Sequence, residues 1–189
     1  MEKVLIVSST PKATEHLTKM LQMNRYSRIV AAMSGSEARR MMLDDGYDIV
    51  IINTPLPDEF GAELAVNLSE TTSCGVLMLV KVDRADDVFS KVEDFGVFVV
   101  EKPMNTAMFY QAIKLISASR RRILGLKNEN VRLQKKIEEI RLVDRAKCAL
   151  IEYLGMTEAQ AHRHIEKQAM DLRMTRREVA QGILQTYES

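Results

Sequence analysis

The side chains that could perform acid–base, nucleophilic or metal chemistry are few and scattered along this sequence. Its three histidines are His16, His162 and His164. None of them belongs to a nucleophile motif, and two positions two residues apart on a helix do not share a face for one metal ion. The sequence also contains no Walker loop or other glycine-rich phosphate cradle. We therefore expect no catalytic residue, no metal site and no cofactor.

The cysteine content and overall composition bound the class of protein. Two cysteines, Cys74 and Cys148, are too few for a disulfide framework and suit a reducing compartment. A chain of 189 residues that is 46% hydrophobic and 28% charged can form one full domain and a small second one. No apolar run approaches the roughly 18 residues of a membrane span. We expect a cytoplasmic protein with no membrane partner.

The near-zero net charge of +1 hides an asymmetry along the chain. Residues 1–119 carry 12 basic and 16 acidic side chains, whereas residues 120–189 carry 15 basic and 10 acidic ones. Most of the basic excess lies in residues 120–142. The first part of the chain should therefore avoid nucleic acid, while the second part could tolerate it.

Short apolar runs alternate with helical patterns through the first 119 residues. Several runs are continuous and β-branched, which is typical of strands buried on both faces of a parallel sheet. Five strands alternating with helices predict an α/β domain with a five-stranded, doubly wound parallel sheet. The predicted strands are 4–7, 28–32, 48–52, 76–80 and 97–100.

Two motifs follow the predicted third and fifth strands. Asn53 is followed by Pro57 and Gly61, and Lys102 is followed directly by Pro103. With the strand order, these motifs resemble the receiver domain of two-component response regulators over residues 1 to about 120. In that family an Asp at the position of Asn53 accepts phosphate, and a Lys at the position of Lys102 binds the phosphoryl oxygens.

The sequence departs from the receiver pattern at all positions of the phosphorylation site except Lys102. An amide at Asn53 is not the carboxylate nucleophile that forms an aspartyl phosphate. Ser8 and Ser9 replace the acidic pair that holds Mg²⁺, which prefers carboxylate oxygens, and Val80 replaces a hydroxyl residue. The resemblance therefore implies a pseudo-receiver that is not phosphorylated. The alternative acceptors are acids in neighbouring segments, namely Asp58, Glu59, Asp83, Asp86 and Asp87.

A helical pattern that begins at Met104 continues without proline and fits heptads. Ile at a positions, Leu at d positions and a lone Asn130 at a favour a parallel two-stranded coiled coil over residues 120–142. The predicted dimer seam comprises Ile116, Ile123, Leu126, Asn130, Leu133, Ile137 and Ile140. Like charges at Arg122/Lys127 and Lys136/Arg141 oppose this pairing. The alternative is a long helix packed on its own domain.

Residues 143–189 read as a third segment of three short helices. The first runs from about Asp144 to Leu154, and the other two begin at capping-box patterns led by Thr157 and Thr175. Such a small unit needs support from the coiled coil or a second copy. Its predicted core comprises Ala146, Ala149, Leu150, Tyr153, Ala161, Ile165, Ala169, Val179, Ile183 and Leu184.

Several motifs of residues 143–185 resemble the ANTAR domain, a three-helix RNA-binding module of transcription antitermination regulators. The first is Ala146-Lys147 in the first helix, and the second is the turn that contains Gly155, Thr157, Glu158 and Ala161. The others are Ala169-Met170 in the second helix and Val179-Ala180 in the third. One position departs from the family pattern, since Cys148 stands where Gly is usual. The resemblance implies a non-enzymatic dimer whose two ANTAR units bind hairpin loops in mRNA leaders and prevent premature termination.

Basic side chains of this segment are the candidates for phosphate contacts. They are Arg145, Lys147, Arg163, Lys167, Arg173, Arg176 and Arg177, and we expect them to point outward. Tyr153 and Tyr187 are candidate stacking platforms, although Tyr153 fits the core better. One alternative is a DNA-binding response regulator, which the absence of Gly between the second and third helices disfavours. The other is an interaction protein that acts through a regulatory protein partner.

Overall fold

The computed structural model describes residues 2–187. The chain divides into two compact units, Met1–Leu124 and Gly125–Ser189. Met1 of the predicted first domain and residues 188–189 of the predicted third segment lie outside the described residues. The predicted domain limits at 119/120 and 142/143 stay predictions.

The first unit is an α/β domain built on a parallel sheet. Its strands are β1 (Lys3–Ser8), β2 (Arg28–Ala32), β3 (Ile49–Asn53), β4 (Gly75–Lys81) and β5 (Phe98–Lys102). Its helices are α1 (Pro11–Met23), α2 (Gly35–Asp44), α3 (Ala62–Thr71), α4 (Val82–Val92), a 3₁₀ turn at Glu93–Phe95, and the first part of α5 (Thr106–Leu154). The strand order is β2-β1-β3-β4-β5. This confirms the predicted fold class.

Alternate residues of the central strands face two separate apolar cores. Leu5 and Val50 pack with residues of α2, α3 and α4 on one side of the sheet. Val4 and Ile49 pack with residues of α1 and α5 on the other side. The β-branched runs therefore form strands because both of their faces are covered by helices.

Helix α5 extends without interruption from Thr106 to Leu154 and ends at Gly155, whose φ is +62°. The prediction of a separate helix starting at about Asp144 was wrong, because that segment is the end of α5. No proline or capping residue interrupts the backbone hydrogen bonds there. Early in α5, Phe109, Ile113 and Ile116 are buried in the core of the first unit.

The second unit packs the end of α5 against α6 (Glu158–Leu172) and α7 (Arg176–Tyr187). Both predicted helix starts are confirmed: Thr157 Oγ1 accepts a hydrogen bond from the backbone of Gln160, and Thr175 Oγ1 accepts one from that of Glu178. Its core is aliphatic, as predicted, with the exception of Tyr153. That side chain is 55% exposed and lies at the surface against Tyr187 of α7.

The part of the chain that the structure describes lacks two kinds of feature. No helix there is long and apolar enough to cross a membrane. Residues 2–187 also contain no group of three His, Cys, Asp or Glu side chains placed to hold a metal ion.

Candidate functional site

The carboxyl ends of β1, β3 and β5 bring three of the predicted phosphorylation-site residues together. Ser8 pairs with Asn53 in the strand register. The Asn53 amide donates to Ser8 Oγ at 3.0 Å and accepts at Oδ1 from Lys102 Nζ at 2.9 Å. Lys102 Nζ also donates to the Thr54 carbonyl at 2.6 Å. Ser8, Asn53 and Lys102 thus form one hydrogen-bonded chain, which we call the Asn53 network.

The Asn53 network contains a cation but no carboxylate. Burial lowers the pKa of Lys102, and the nearby positive charge of Lys81 lowers it further. In a receiver that holds Mg²⁺, acidic oxygens would surround this ammonium group. Here the amide and carbonyl oxygens of Asn53 and Thr54 take its hydrogen bonds. The donor set does not fit Mg²⁺, which prefers several carboxylate oxygens in an octahedral array.

The other two predicted positions lie outside this network. Ser9 Oγ donates to the Pro55 carbonyl at 3.4 Å. Val80 is fully buried in the core on the α2, α3 and α4 side of the sheet. The hydroxyl that a receiver carries there is thus replaced by an apolar side chain that contributes to packing.

The acids next to Asn53 in the sequence are engaged at α2. The Asp58 carboxylate accepts hydrogen bonds from the backbone N–H groups of Ser36 and Gly35, both at 2.9 Å, and from the Ser36 hydroxyl at 2.8 Å. These hydrogen bonds lower the pKa of Asp58 to about 2, the Ser36 N–H contributing most. Asp58 therefore acts as an anion bound at the amino end of α2.

Glu59 forms the second link between this loop and α2. Its carboxylate binds both terminal nitrogens of Arg39, one of them at 3.0 Å. The Glu59 carboxylate occupies the space that a Cβ at Gly35 would take, so a larger residue there would displace this side chain. The sequence pattern gave no indication of these contacts, since the partners lie about 20 residues apart.

The predicted dimer seam separates into two parts. Ile116 is only 1% exposed and lies in the core of the first unit, so its assignment to the seam was wrong. Ile116 fits both the heptad pattern and the core pattern of α5, and its side chain is buried within its own chain. From residue 123 onward the apolar seam positions are more than half exposed; they are Ile123, Leu126, Leu133, Ile137 and Ile140.

The predicted RNA-binding cations differ in their surroundings. Arg163, Lys167, Arg173 and Arg177 are exposed and make no ion pair among residues 2–187. Arg163 and Lys167, four residues apart on α6, share a helix face. Arg176 lies 3.7 Å from Glu166. Arg145 is exposed and takes part in an intrachain interaction.

Lys147 does not point outward as expected. Its side chain is 15% exposed, and Nζ lies 2.8 Å from Asp144 and 3.3 Å from Glu158. The hydrogen bond to Asp144 is the main reason that the pKa of Lys147 is raised. This lysine links α5 to the start of α6. The spacing of three residues between Asp144 and Lys147 is typical of an ion pair within a helix.

Comparisons with known proteins agree with this geometry. Residues 4–114 match the response regulator receiver domain, and residues 131–184 match the ANTAR domain. The chain is a response regulator with an ANTAR domain. The first match spans the sheet and the Asn53 network, and the second spans the later part of α5 with α6 and α7.

One relative is similar to this ANTAR response regulator over nearly its whole length, and solved structures are similar to its receiver domain. The chain is 29% identical over 185 residues to the transcriptional regulatory protein PdtaR of Mycobacterium tuberculosis, covering 97% of this chain and 90% of PdtaR. The CheY-like receiver domain from Methylobacillus flagellatus is 25% identical, with a TM-score of 0.54 over 61% of this chain and 98% of its own.

A receiver domain from a Pseudomonas fluorescens Pf-5 HD domain-containing protein is 18% identical. The TM-score is 0.60, and the match covers 66% of this chain and 92% of the receiver-domain chain. This likeness concerns the fold of the first unit alone. Response regulators with an ANTAR output domain are non-enzymatic regulators of the antitermination type.

Proposed function

We propose that this ANTAR response regulator binds hairpin loops in mRNA leaders and prevents premature termination, as a dimer and without aspartyl phosphorylation. The observation that carries RNA binding is the exposed set of cations on α6 and α7 in the unit matched to the ANTAR domain. Arg163, Lys167 and Arg177 make no ion pair within residues 2–187, so their charges are available to phosphates.

The chemistry of the Asn53 network supports regulation without phosphorylation. The nucleophile position is an amide, and Lys102 is already engaged by Asn53 and Thr54. The acids that follow Asn53 in the sequence, Asp58 and Glu59, bind α2. Control of this protein would then come from a protein partner, from its concentration or from the RNA.

The exposed stripe of α5 supports dimerisation. Ile123, Leu126 and Leu133 are more than half exposed in a single chain, which is unfavourable for large aliphatic side chains in water. A second copy of this chain is the proposed occupant, because heptad spacing with Asn130 at an a position specifies a parallel coiled coil.

DNA binding is the second candidate, and one observation favours it. The turn at residues 173–175 contains Arg173 with φ of 53°, in the left-handed region. A tight turn between α6 and α7 therefore forms without glycine. The absence of glycine there is no longer an argument against a helix-turn-helix.

A selection experiment with the full chain separates the two candidates. Hairpin RNAs with randomised loops and duplex DNAs with a randomised segment would compete for the protein in one mixture. We expect enrichment of a defined RNA loop. Enrichment of a duplex DNA sequence instead would support the second candidate and contradict the first.

A further inference from the structure

The only aromatic residues between positions 125 and 189 are Tyr153 and Tyr187. Although they are 34 residues apart, their rings stack with centroids 5.4 Å apart and an interplanar angle of 20°. Tyr187 is half-buried against the aliphatic core, whereas Tyr153 is 55% exposed. The second unit thus presents its two aromatic rings at the surface as one stacked pair.

This pair borders two surface grooves of the second unit. Tyr153 lines a groove of about 600 Å³ along the end of α5, together with Arg141, Arg145 and Glu152. Tyr187 lines another groove of about 500 Å³ between the end of α5, α6 and α7. The ring of Tyr153 is therefore accessible on an open face of the second unit.

The first groove also contains a cation on the same helix as the Tyr153 ring. Arg141 is exposed on α5 and lines this groove, whereas Arg145 already takes part in an intrachain interaction. Of the two acids that line the groove, Asp144 is paired with Lys147 at 2.8 Å. Glu152 is the remaining acid. Planar guanidinium groups bind phosphate oxygens in a bidentate manner.

We propose that an unpaired base of the RNA loop stacks on the Tyr153–Tyr187 pair while Arg141 binds a phosphate farther along the same strand. This inference rests on the proposed RNA-binding function and adds a contact surface that the motifs of α6 and α7 do not contain. Stacking of exposed bases on aromatic side chains is the usual way in which proteins bind single-stranded loops. Paired bases of duplex DNA do not offer a face for such stacking.

The first test uses the full chain and the RNA hairpin recovered in the selection, with 2-aminopurine placed at each loop position in turn. Binding should quench the fluorescence of the probe at one position, where the base stacks on Tyr153. Tyr153→Ala should abolish that quenching and weaken binding at least about fivefold, the lower limit for one base–aromatic stack. Tyr153→Phe should restore both.

Two control variants separate stacking from packing. Tyr153→Leu keeps an apolar side chain without a planar ring, and should bind as weakly as Tyr153→Ala. Ile151→Ala removes another partly exposed apolar side chain from the same turn of α5. It should leave RNA affinity and 2-aminopurine quenching unchanged.

The dependence of affinity on salt tests the phosphate contacts. Arg141→Gln should reduce the slope of log K against log salt concentration by about 0.7, the value for one phosphate contact on a single strand. Tyr153→Ala should leave the slope unchanged, because stacking releases no counterions. Glu152→Gln should tighten binding, since it removes the acid that faces the phosphates.

The outcomes distinguish this inference from the function on which it rests. If the chain binds the hairpin but Tyr153→Leu binds as tightly as the unmodified protein, stacking on the tyrosine pair is wrong and RNA binding stands. An absence of quenching at every loop position would overturn the inference in the same way. If the unmodified chain enriches no RNA hairpin, the proposed function fails first.

Discussion

Lys102 donates a hydrogen bond from Nζ to Asn53 Oδ1 at 2.9 Å, at the sheet edge where a receiver domain is phosphorylated. Lys102 lies at the end of β5 and Asn53 at the end of β3, and the Asn53 amide also donates a hydrogen bond to Ser8 on β1. A phosphoryl group at this place would require a nucleophile and metal ligands. Neither Asn53 nor Ser8 carries the carboxylate that forms an aspartyl phosphate or binds Mg²⁺.

Exposure to acetyl phosphate and Mg²⁺ should therefore leave the mass of the protein unchanged. Intact-mass spectrometry is the measurement. Asn53→Asp is the informative variant: it restores the carboxylate but leaves Ser8 and Ser9 in place of the acidic pair that binds the metal ion. We expect no phosphoryl adduct on this variant either. A stable adduct on the unmodified chain would contradict the pseudo-receiver assignment.

The Asp58 carboxylate should stabilise the first unit in a pH-dependent way. Its pKa in the folded protein is about 2, below the ordinary value of 3.8, so the stabilisation is present above about pH 4 and is lost as the pH falls toward 2. Asp58→Asn should lower the urea midpoint of unfolding at about pH 7 and lower it less at about pH 3.

Asp86→Asn is the matched control for this pH effect. Asp86 is exposed on α4, and its replacement removes the same charge. The control should change the urea midpoint little at either pH. A shift for Asp58→Asn of the same size at both pH values would show that its effect does not come from ionisation.

Much of the first unit could be predicted because each signal was local. Residues 28–32 were predicted as a strand and form β2, and the other strands differ by only one or two residues at their ends. Parallel register then explains why Ser8 and Asn53 meet, since it places the carboxyl ends of the strands at one edge.

The errors occurred where tertiary contacts decide between two local patterns. The position of Ile116 fits both a heptad seam and the core of the first unit, and its side chain is buried in that core. Lys147 was predicted to face RNA, but Asp144 and Glu158 bind it. Tyr153 was predicted to lie in the core, but it stacks on Tyr187 at the surface. Such partners are not visible in sequence spacing alone.

Dimerisation through α5 predicts different effects for two neighbouring asparagines. Asn130→Glu would place two carboxylates together in the seam, and should shift the chain toward monomer in analytical ultracentrifugation. Asn128→Glu introduces the same side chain two residues away, at a position that points away from the seam, and should remain dimeric. Equal dimerisation of both variants would place the dimer interface elsewhere.

The ion pairs of the second unit predict which cations set the salt dependence of RNA binding. Arg163→Gln with Lys167→Gln should reduce the slope of log K against log salt concentration by about 0.7–0.9 for each lost phosphate contact. Lys147→Gln should leave the slope unchanged and lower the midpoint of thermal unfolding, because Lys147 bridges Asp144 and Glu158. A reduced slope for Lys147→Gln would show that its intrachain pairs open on RNA.

Single-round transcription through an mRNA leader that carries the selected hairpin and a terminator tests the central claim most directly. The measured quantity is the ratio of read-through to terminated transcript, with and without the protein, and with and without acetyl phosphate. We expect the protein to raise read-through equally in both conditions, since the Asn53 network contains no carboxylate that could form an aspartyl phosphate. An unchanged ratio, or an increase only with acetyl phosphate, would contradict the account.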